Sequence, residues 1–149
     1  MCIRDSLLAD GEAIERFFQT EIARLAQGSL VMPTCLRGEP VDLLQAQRHG
    51  LPTVSDGDRA WRAVSGLAVN ANALFASELG NRLAERSGSF GLVWELAAGD
   101  DVKVSLRAAG KVDVAAIAAG YGGGGHPNAA GFRMALTRFA SEILGAITL

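Results

Sequence analysis

The sequence predicts an α/β fold, a mixed β-sheet of about five strands with short helices packed on it, preceded by an amphipathic linker helix. Three observations carry that expectation. Residues 101–107 alternate strictly, with Val102, Val104 and Leu106 apolar and Lys103, Ser105 and Arg107 polar, as in a strand with one buried face. Residues 10–27 and 74–86 instead repeat apolar side chains every three or four positions, as in a helix with one buried stripe. The two periods interleave along the chain, in the order helix, strand, strand, helix, strand, strand, helix, loop, strand, helix, which reads as one mixed sheet dressed with helices.

The first helix carries Ile14, Phe17, Phe18, Ile22 and Leu25 on its stripe, with Asp10 placed to cap its start and Gly28 its end. Its pattern suits both a connector from something upstream and a plain packing helix. Residues 1–6 join awkwardly to it and are expected to be a non-native start. The expected organisation is therefore 1–28 as start plus linker helix, and 29–149 as one domain. Leu30–Leu36 follows as a strand, with Cys35 a small core residue. Residues 38–60, punctuated by Gly38, Pro40, Gly50, Pro52, Asp56 and Gly57, are expected to form a surface excursion around a short helix at Leu43–Arg48, with Asp56 and Asp58 as turn-formers. Trp61–Asn70 is the second strand. A helix over Leu74–Arg86 bears Phe75, Leu79 and Leu83, and Gly91–Leu96, with Trp94, is a buried strand. Asp113 caps a short Ala-rich helix, Val114–Ala119, and Gly120 sits where a C′ glycine belongs. Gly131–Ala135 returns as a strand, and Leu136, Phe139, Ile143 and Ile147 mark a last helix.

At 149 residues and 49% hydrophobic, the chain has enough apolar mass for one packed domain and too much for disorder. Charges break its apolar runs well short of a bilayer span, so no membrane segment is expected. A net charge of −2 without any Lys/Arg-rich run argues against a long duplex, which needs many phosphate contacts. One or two phosphates in a pocket remain compatible. Cys2 and Cys35 lie far apart with no metal-ligand spacing, and the opening residues lack the charged and apolar stretches of a secretory signal. A reduced, cytoplasmic setting is expected.

The chemistry concentrates in residues 120–132, Gly-Tyr-Gly-Gly-Gly-Gly-His-Pro-Asn-Ala-Ala-Gly-Phe. Four consecutive glycines, Gly122 to Gly125, strip the backbone of Cβ atoms, and successive N–H groups in such a turn form anion-holding nests. His126 stands at the rim as a ring donor, and Pro127 stiffens the exit. A flexible linker is the plain alternative, but linkers are polar and Ser-rich, whereas Ile117, Ala118, Ala129, Ala130 and Phe132 flank this run. Gly120, Gly122 and Gly125 spell Gly-x-Gly-x-x-Gly. The dinucleotide fingerprint, however, needs a strand before it and a helix after it, and here the order is reversed. No Lys-Ser or Lys-Thr closes the run as in a P-loop. Arg107, with Ser105 two residues earlier on the same polar face, is one short helix away from the loop. An arginine fork, glycine amides and a histidine donor make a sensible phosphate site. Taken singly, Arg107 reads as a solvated strand charge and His126 as a loop histidine; Tyr121, which suits stacking on a base, reads as core. No Asp/Glu/His cluster has metal-ligand spacing, and no nucleophile–base arrangement is visible.

Together, Ser-Leu-Arg at 105–107, Val-Asp-Val at 112–114, Ile-Ala at 117–118 and the run 122–132 resemble the C-terminal, DHH-associated domain of the DHH phosphoesterase superfamily. Val-Asn at 69–70 and Ser-Glu-Leu-Gly-Asn-Arg-Leu-Ala at 77–84 fit the same pattern. The resemblance spans residues 62–135 well and 10–60 loosely, and its nearest members are similar to bacterial oligoribonucleases of the nano-RNase type. It implies that Arg107, Gly122, Gly123, Gly124, Gly125 and His126 contact the substrate phosphate or its terminal nucleotide, in a nucleotide or short oligonucleotide; Ser105 and Asn128 are expected beside them as further substrate-binding residues. It also implies a partner, an N-terminal DHH catalytic domain whose Asp and His residues hold a pair of manganese ions. No Asp-His-His triplet occurs in this sequence, so no catalytic residue and no metal site is expected in this chain, and no hydrolysis from it alone. A stand-alone nucleotide or nucleic-acid binding module is the alternative from another class, and a fragment without any ligand is the third.

Overall fold

The computed structural model describes the backbone of residues 3–145 and the side chains from Asp10 onward. The elements run α1 (Ile3–Gln27), β1 (Met32–Val41), α2 (Leu43–Arg48), β2 (Thr53–Asp56), β3 (Arg59–Asn70), a 3₁₀ turn at Ala73–Phe75, α3 (Ala76–Ser87), β4 (Phe90–Leu96), β5 (Asp101–Ala108), α4 (Val114–Gly120), β6 (Gly124–His126), β7 (Ala129–Ala135) and α5 (Leu136–Phe139), which a π-type turn at Ala140–Leu144 prolongs. The fold class is the expected one, a mixed sheet with short helices and a preceding helix. The sheet has seven strands, ordered β1-β3-β4-β5-β7-β6 with β2 also on β3, and only the β3–β4 pair is parallel.

The two strands beyond the expected five are short and polar. β2 pairs with the start of β3 through a two-residue hairpin turn, Gly57-Asp58, in which Gly57 has φ 62°, as suits glycine at the first turn position. β6 is the three-residue arm of a hairpin with β7. β1 starts later than expected and runs on through Pro40, past a register shift between Arg37 and Pro40. Proline is tolerated there because β1 is an edge strand, where a missing N–H breaks no ladder. The helix α1 passes straight through Asp10, so that residue does not cap it. Of its stripe, Ile22 is fully buried and Phe18 stacks on Phe75 at 5.3 Å, while Ile14 and Phe17 are exposed. Ile147 of the last expected helix lies outside the described residues, as do Met1 and Cys2.

Core residues lie on both faces of the sheet. One face buries Leu36, Val64, Leu92, Val104, Leu106 and Phe132 beneath α4, α5 and the final turn, which contribute Ile117, Phe139 and Ile143. The other buries Val69 and Val93 beneath α3 and the second half of α1, through Leu79, Leu83 and Ile22. That second cover stops at β5. The β5-β7-β6 part of this face is left open, and it carries the polar residues of the alternating strand.

Tyr121 belongs to the first core, its ring stacked on Phe132 at 4.6 Å and its hydroxyl accepting the Arg37 backbone N–H at 3.0 Å. Burial raises its phenol above the ordinary tyrosine range, opposed in part by that hydrogen bond and by the Arg37 charge. The unfolded chain thus loses this proton at lower pH than the folded one. Stability from the neutral phenol is complete below the ordinary tyrosine pKa and is lost as pH rises through the folded value. Tyr121→Phe is expected to remove that alkaline loss. It also leaves the Arg37 N–H buried without its acceptor, costing about 1–3 kcal/mol at neutral pH. Urea unfolding at neutral pH and above about pH 10 checks both effects.

Candidate functional site

The glycine run is positioned by the helix before it and the hairpin after it. Asp113 starts α4 by accepting the Ala116 N–H at 3.0 Å. The helix ends on Gly122, φ 86°, rather than on Gly120, which is its last helical residue. The Gly122 N–H reaches the Ala119 carbonyl at 3.1 Å and the Gly123 N–H reaches Ala118 at 2.8 Å, the paired bonds of a Schellman cap. Beyond β6, Pro127 and Asn128 form a two-residue turn. The Pro127 carbonyl accepts from the Val114 N–H at 3.0 Å and the Asn128 carbonyl from Ala108 at 3.1 Å. The hairpin tip is thereby tied to the start of α4 and the end of β5, the proximity that one short connecting helix led us to expect.

These bonds change the picture of a bare amide nest. Gly122 and Gly123 spend their N–H groups on α4. The pair flanking a two-residue turn, His126 and Ala129, is the hydrogen-bonded one, and alternation makes Gly124–Gly131 the next. Only Gly125, φ 147°, directs its N–H to the free edge of the sheet. Packing also accounts for most of the missing side chains. A Cβ on Gly123 would strike the Gly131 carbonyl, and one on Gly125 would stand 2.6 Å from the Ala129 oxygen; a Cβ on Gly124 would meet nothing within 4 Å. Three of the four glycines are therefore required by the turn and hairpin themselves. Gly124 alone is bare without a structural reason.

Side chains are brought together more directly. Arg107 is paired with Ala129, and Ala129 with His126. Directly opposed residues project to the same face, so Arg107 and His126 rise from one face with their Cα atoms about 10 Å apart across β7. The next row on that face is Ser105, Gly131 and Gly124, in which Ser105 holds the only side chain. Lys103 and Arg133 form the row after it. A shallow shelf results, floored by backbone and bordered by cations on both sides. Asn128 is exposed at the hairpin tip, one residue beyond the Arg107 row. The helix α3 walls the shelf on the β4 side: a Cβ on Gly80 would stand 2.8 Å from the Arg107 Cγ, so the arginine stem lies directly on the helix. The half-buried Arg107 donates to the Leu106 carbonyl at 2.9 Å and pairs with no carboxylate among the described residues.

Sequence reasoning did not select Lys103, Arg133, Gly131 or Gly80. The first was readable, because the alternation of 101–107 already puts Lys103 on the Arg107 face. The others needed the β5–β7 register and the α3 packing. A cavity of about 750 Å³ lies elsewhere, between β3 and α4, and is lined by Trp61, Arg62, Val64, Lys111 and Ile117. None of the expected site residues borders it. Its size fits a small molecule, but its one aromatic, Trp61, is 7% exposed and is held under Arg37 at 4.0 Å. The open shelf offers the better anion chemistry.

A family model described as the DHHA1 domain matches residues 63–148, which takes in β4, β5, the glycine run and the β6–β7 hairpin. The chain belongs to the DHHA1 domain family. DHHA1 domains are associated with DHH phosphoesterases. A crystal structure of an uncharacterized protein from Helicobacter pylori G27 is similar at 26% identity, covering 62% of this chain and 24% of that one, with a TM-score of 0.34. This DHHA1 chain therefore spans about a quarter of that protein's length. No curated protein matches it. Among the described residues no three His, Cys, Asp or Glu side chains come together as metal ligands. No described helix is long and apolar enough to cross a membrane.

Proposed function

We propose that this DHHA1 domain is the substrate-binding part of a DHH-type phosphoesterase, similar to oligoribonucleases of the nano-RNase type, and that it grips the phosphate of a nucleotide or short oligonucleotide on the open shelf. The observation that carries this is the register Arg107–Ala129–His126. It aims a guanidinium with no carboxylate partner among the described residues and an imidazole at one surface, beside a row that is bare but for Ser105. Ser105 supplies a hydroxyl from the shelf floor, the Gly125 N–H a donor at its rim, and Asn128 an amide at its tip. The other glycines serve by keeping the floor low. In this reading 1–28 is the start plus linker helix and 29–149 the binding domain. Hydrolysis, with its manganese, belongs to a separate DHH domain, and the whole protein works in the cytoplasm.

The test is a titration of a short 5′-phosphorylated oligonucleotide against wild type, Arg107→Ala and His126→Ala. A charge-assisted hydrogen bond is worth about 1.5–3 kcal/mol, so each variant is expected to bind about ten to a hundred times more weakly. Equal binding by all three would remove the shelf as the phosphate site. Manganese added to this chain is expected to give no cleavage, and cleavage should appear only when a DHH domain is supplied; turnover by the purified chain would overturn the assigned roles.

A further inference from the structure

The second cationic row is not required by the fold. Lys103 and Arg133 are direct partners across β5 and β7, both exposed, and neither pairs with a carboxylate among the described residues. Like charges directly opposite one another repel and weaken the strand pair that bears them. Two acidic residues share the face: Glu95, opposite Lys103 on β4, and Asp101, two residues before Lys103 on β5. The Glu95 carboxylate accepts the Ala73 N–H at 3.0 Å and lies on the side of Lys103 away from Arg133, while Asp101, opposite Ala135, is a diagonal neighbour of Arg133 that forms no ion pair with it. Arg133 on β7 therefore keeps its charge free of any ion pair among the described residues.

We infer that Lys103 and Arg133 form a second anion locus, so that the shelf selects ligands bearing at least two phosphate groups over those bearing one. This rests on the phosphate reading of Arg107 and His126. The two cationic rows are four residues apart along β5, about 13 Å from Cα to Cα, and both kinds of side chain are long enough to lean inward. The intervening row, Ser105, Gly131 and Gly124, contributes one small hydroxyl and otherwise backbone. A ligand spanning the rows thus lies flat, with a nucleoside over bare peptide and a phosphate at either end. An arginine beside a lysine suits this task, one giving a planar fork and the other a mobile point charge.

The experiment compares a dinucleotide carrying a 5′-phosphate, hence two phosphates, with the same dinucleotide lacking it. Each is titrated against wild type, the Lys103→Gln/Arg133→Gln double variant, and Arg107→Ala. Wild type is expected to favour the doubly phosphorylated ligand by about tenfold, with a salt slope steeper by about 0.7 for the additional phosphate. The double variant should lose that preference while binding the singly phosphorylated ligand as wild type does, and Arg107→Ala should weaken both ligands. Removing a like-charged pair is expected to leave the melting temperature unchanged or higher, so a lowered one would mark the row as structural and overturn the inference. If Arg107→Ala weakens both ligands but the double variant weakens neither, or both equally, the second locus falls and the first stands. If wild type binds neither ligand, or Arg107→Ala changes nothing, the phosphate reading fails and the second locus with it. The salt slopes of wild type test the inference without any variant: identical slopes for the two ligands would refute it.

Discussion

Gly91→Ala is expected to destabilise the domain by about 3 kcal/mol or more, a large share of the 5–15 kcal/mol that holds a domain of this size together. The reason is a close approach between helix and sheet. A Cβ on Gly91 would fall on the Gly80 carbonyl oxygen and would stand 2.8 Å from the Leu83 Cβ and 2.9 Å from the Ala84 nitrogen. Two of the three are main-chain atoms, so no side-chain rotation makes room, and α3 must lift as a body. Lifting it unpacks Leu79 and Leu83 from Val93, the centre of the second core. The effect should reach the shelf as well, because Arg107 is opposite Gly91 in the sheet and leans on Gly80. Urea unfolding is expected to show a lower midpoint with an unchanged slope, and the folded fraction should bind phosphate less well. An unchanged midpoint would mean that α3 is not seated as described.

Gly123→Ala and Gly124→Ala, two adjacent and chemically identical changes, are expected to do opposite things. A Cβ on Gly123 would strike the Gly131 carbonyl and stand 2.6 Å from the Phe132 Cβ, forcing the chain off β7 where it enters the hairpin. A loss of about 2–3 kcal/mol follows, together with the binding that depends on the hairpin. Gly124 has open space and needs no positive φ, so its alanine variant should stay within about 0.5 kcal/mol of wild type. It should nevertheless bind oligonucleotides more weakly, since the new methyl group stands on the shelf floor between the cationic rows. Thermal melts paired with titrations separate the two outcomes. If Gly124→Ala bound as wild type does, the ligand would not lie on that row.

What was legible in the sequence followed from periodicity and capping. The alternation of 101–107 gives β5 and the shared face of Lys103, Ser105 and Arg107; Asp113 gives the start of α4; the stripe at Phe75, Leu79 and Leu83 gives α3, apart from the 3₁₀ turn that Asn72 caps with a 2.8 Å bond to the Leu74 N–H. The short strands were not legible, because three or four residues hold too few positions to show a period. Nor was the division of labour within the glycine run. Composition reveals that Gly122 to Gly125 lack side chains, but whether a helix cap, a hairpin or a ligand demands it depends on which backbone lies opposite. Likewise the Arg107–His126 row depends on a register set by a Pro-Asn turn, and a slip of one residue would send His126 to the other face.

The short reach of β6 and the imino acids of β1 have a further consequence. A sheet with free borders offers its unpaired ladder to any passing extended chain. One border here is a three-residue arm, two of whose members are glycines; the other is interrupted by Pro33 and Pro40 and by an irregularity between Arg37 and Pro40. Neither presents the long, flat run of donors and acceptors that recruits a foreign strand, so both margins disfavour edge-to-edge pairing between copies of the sheet.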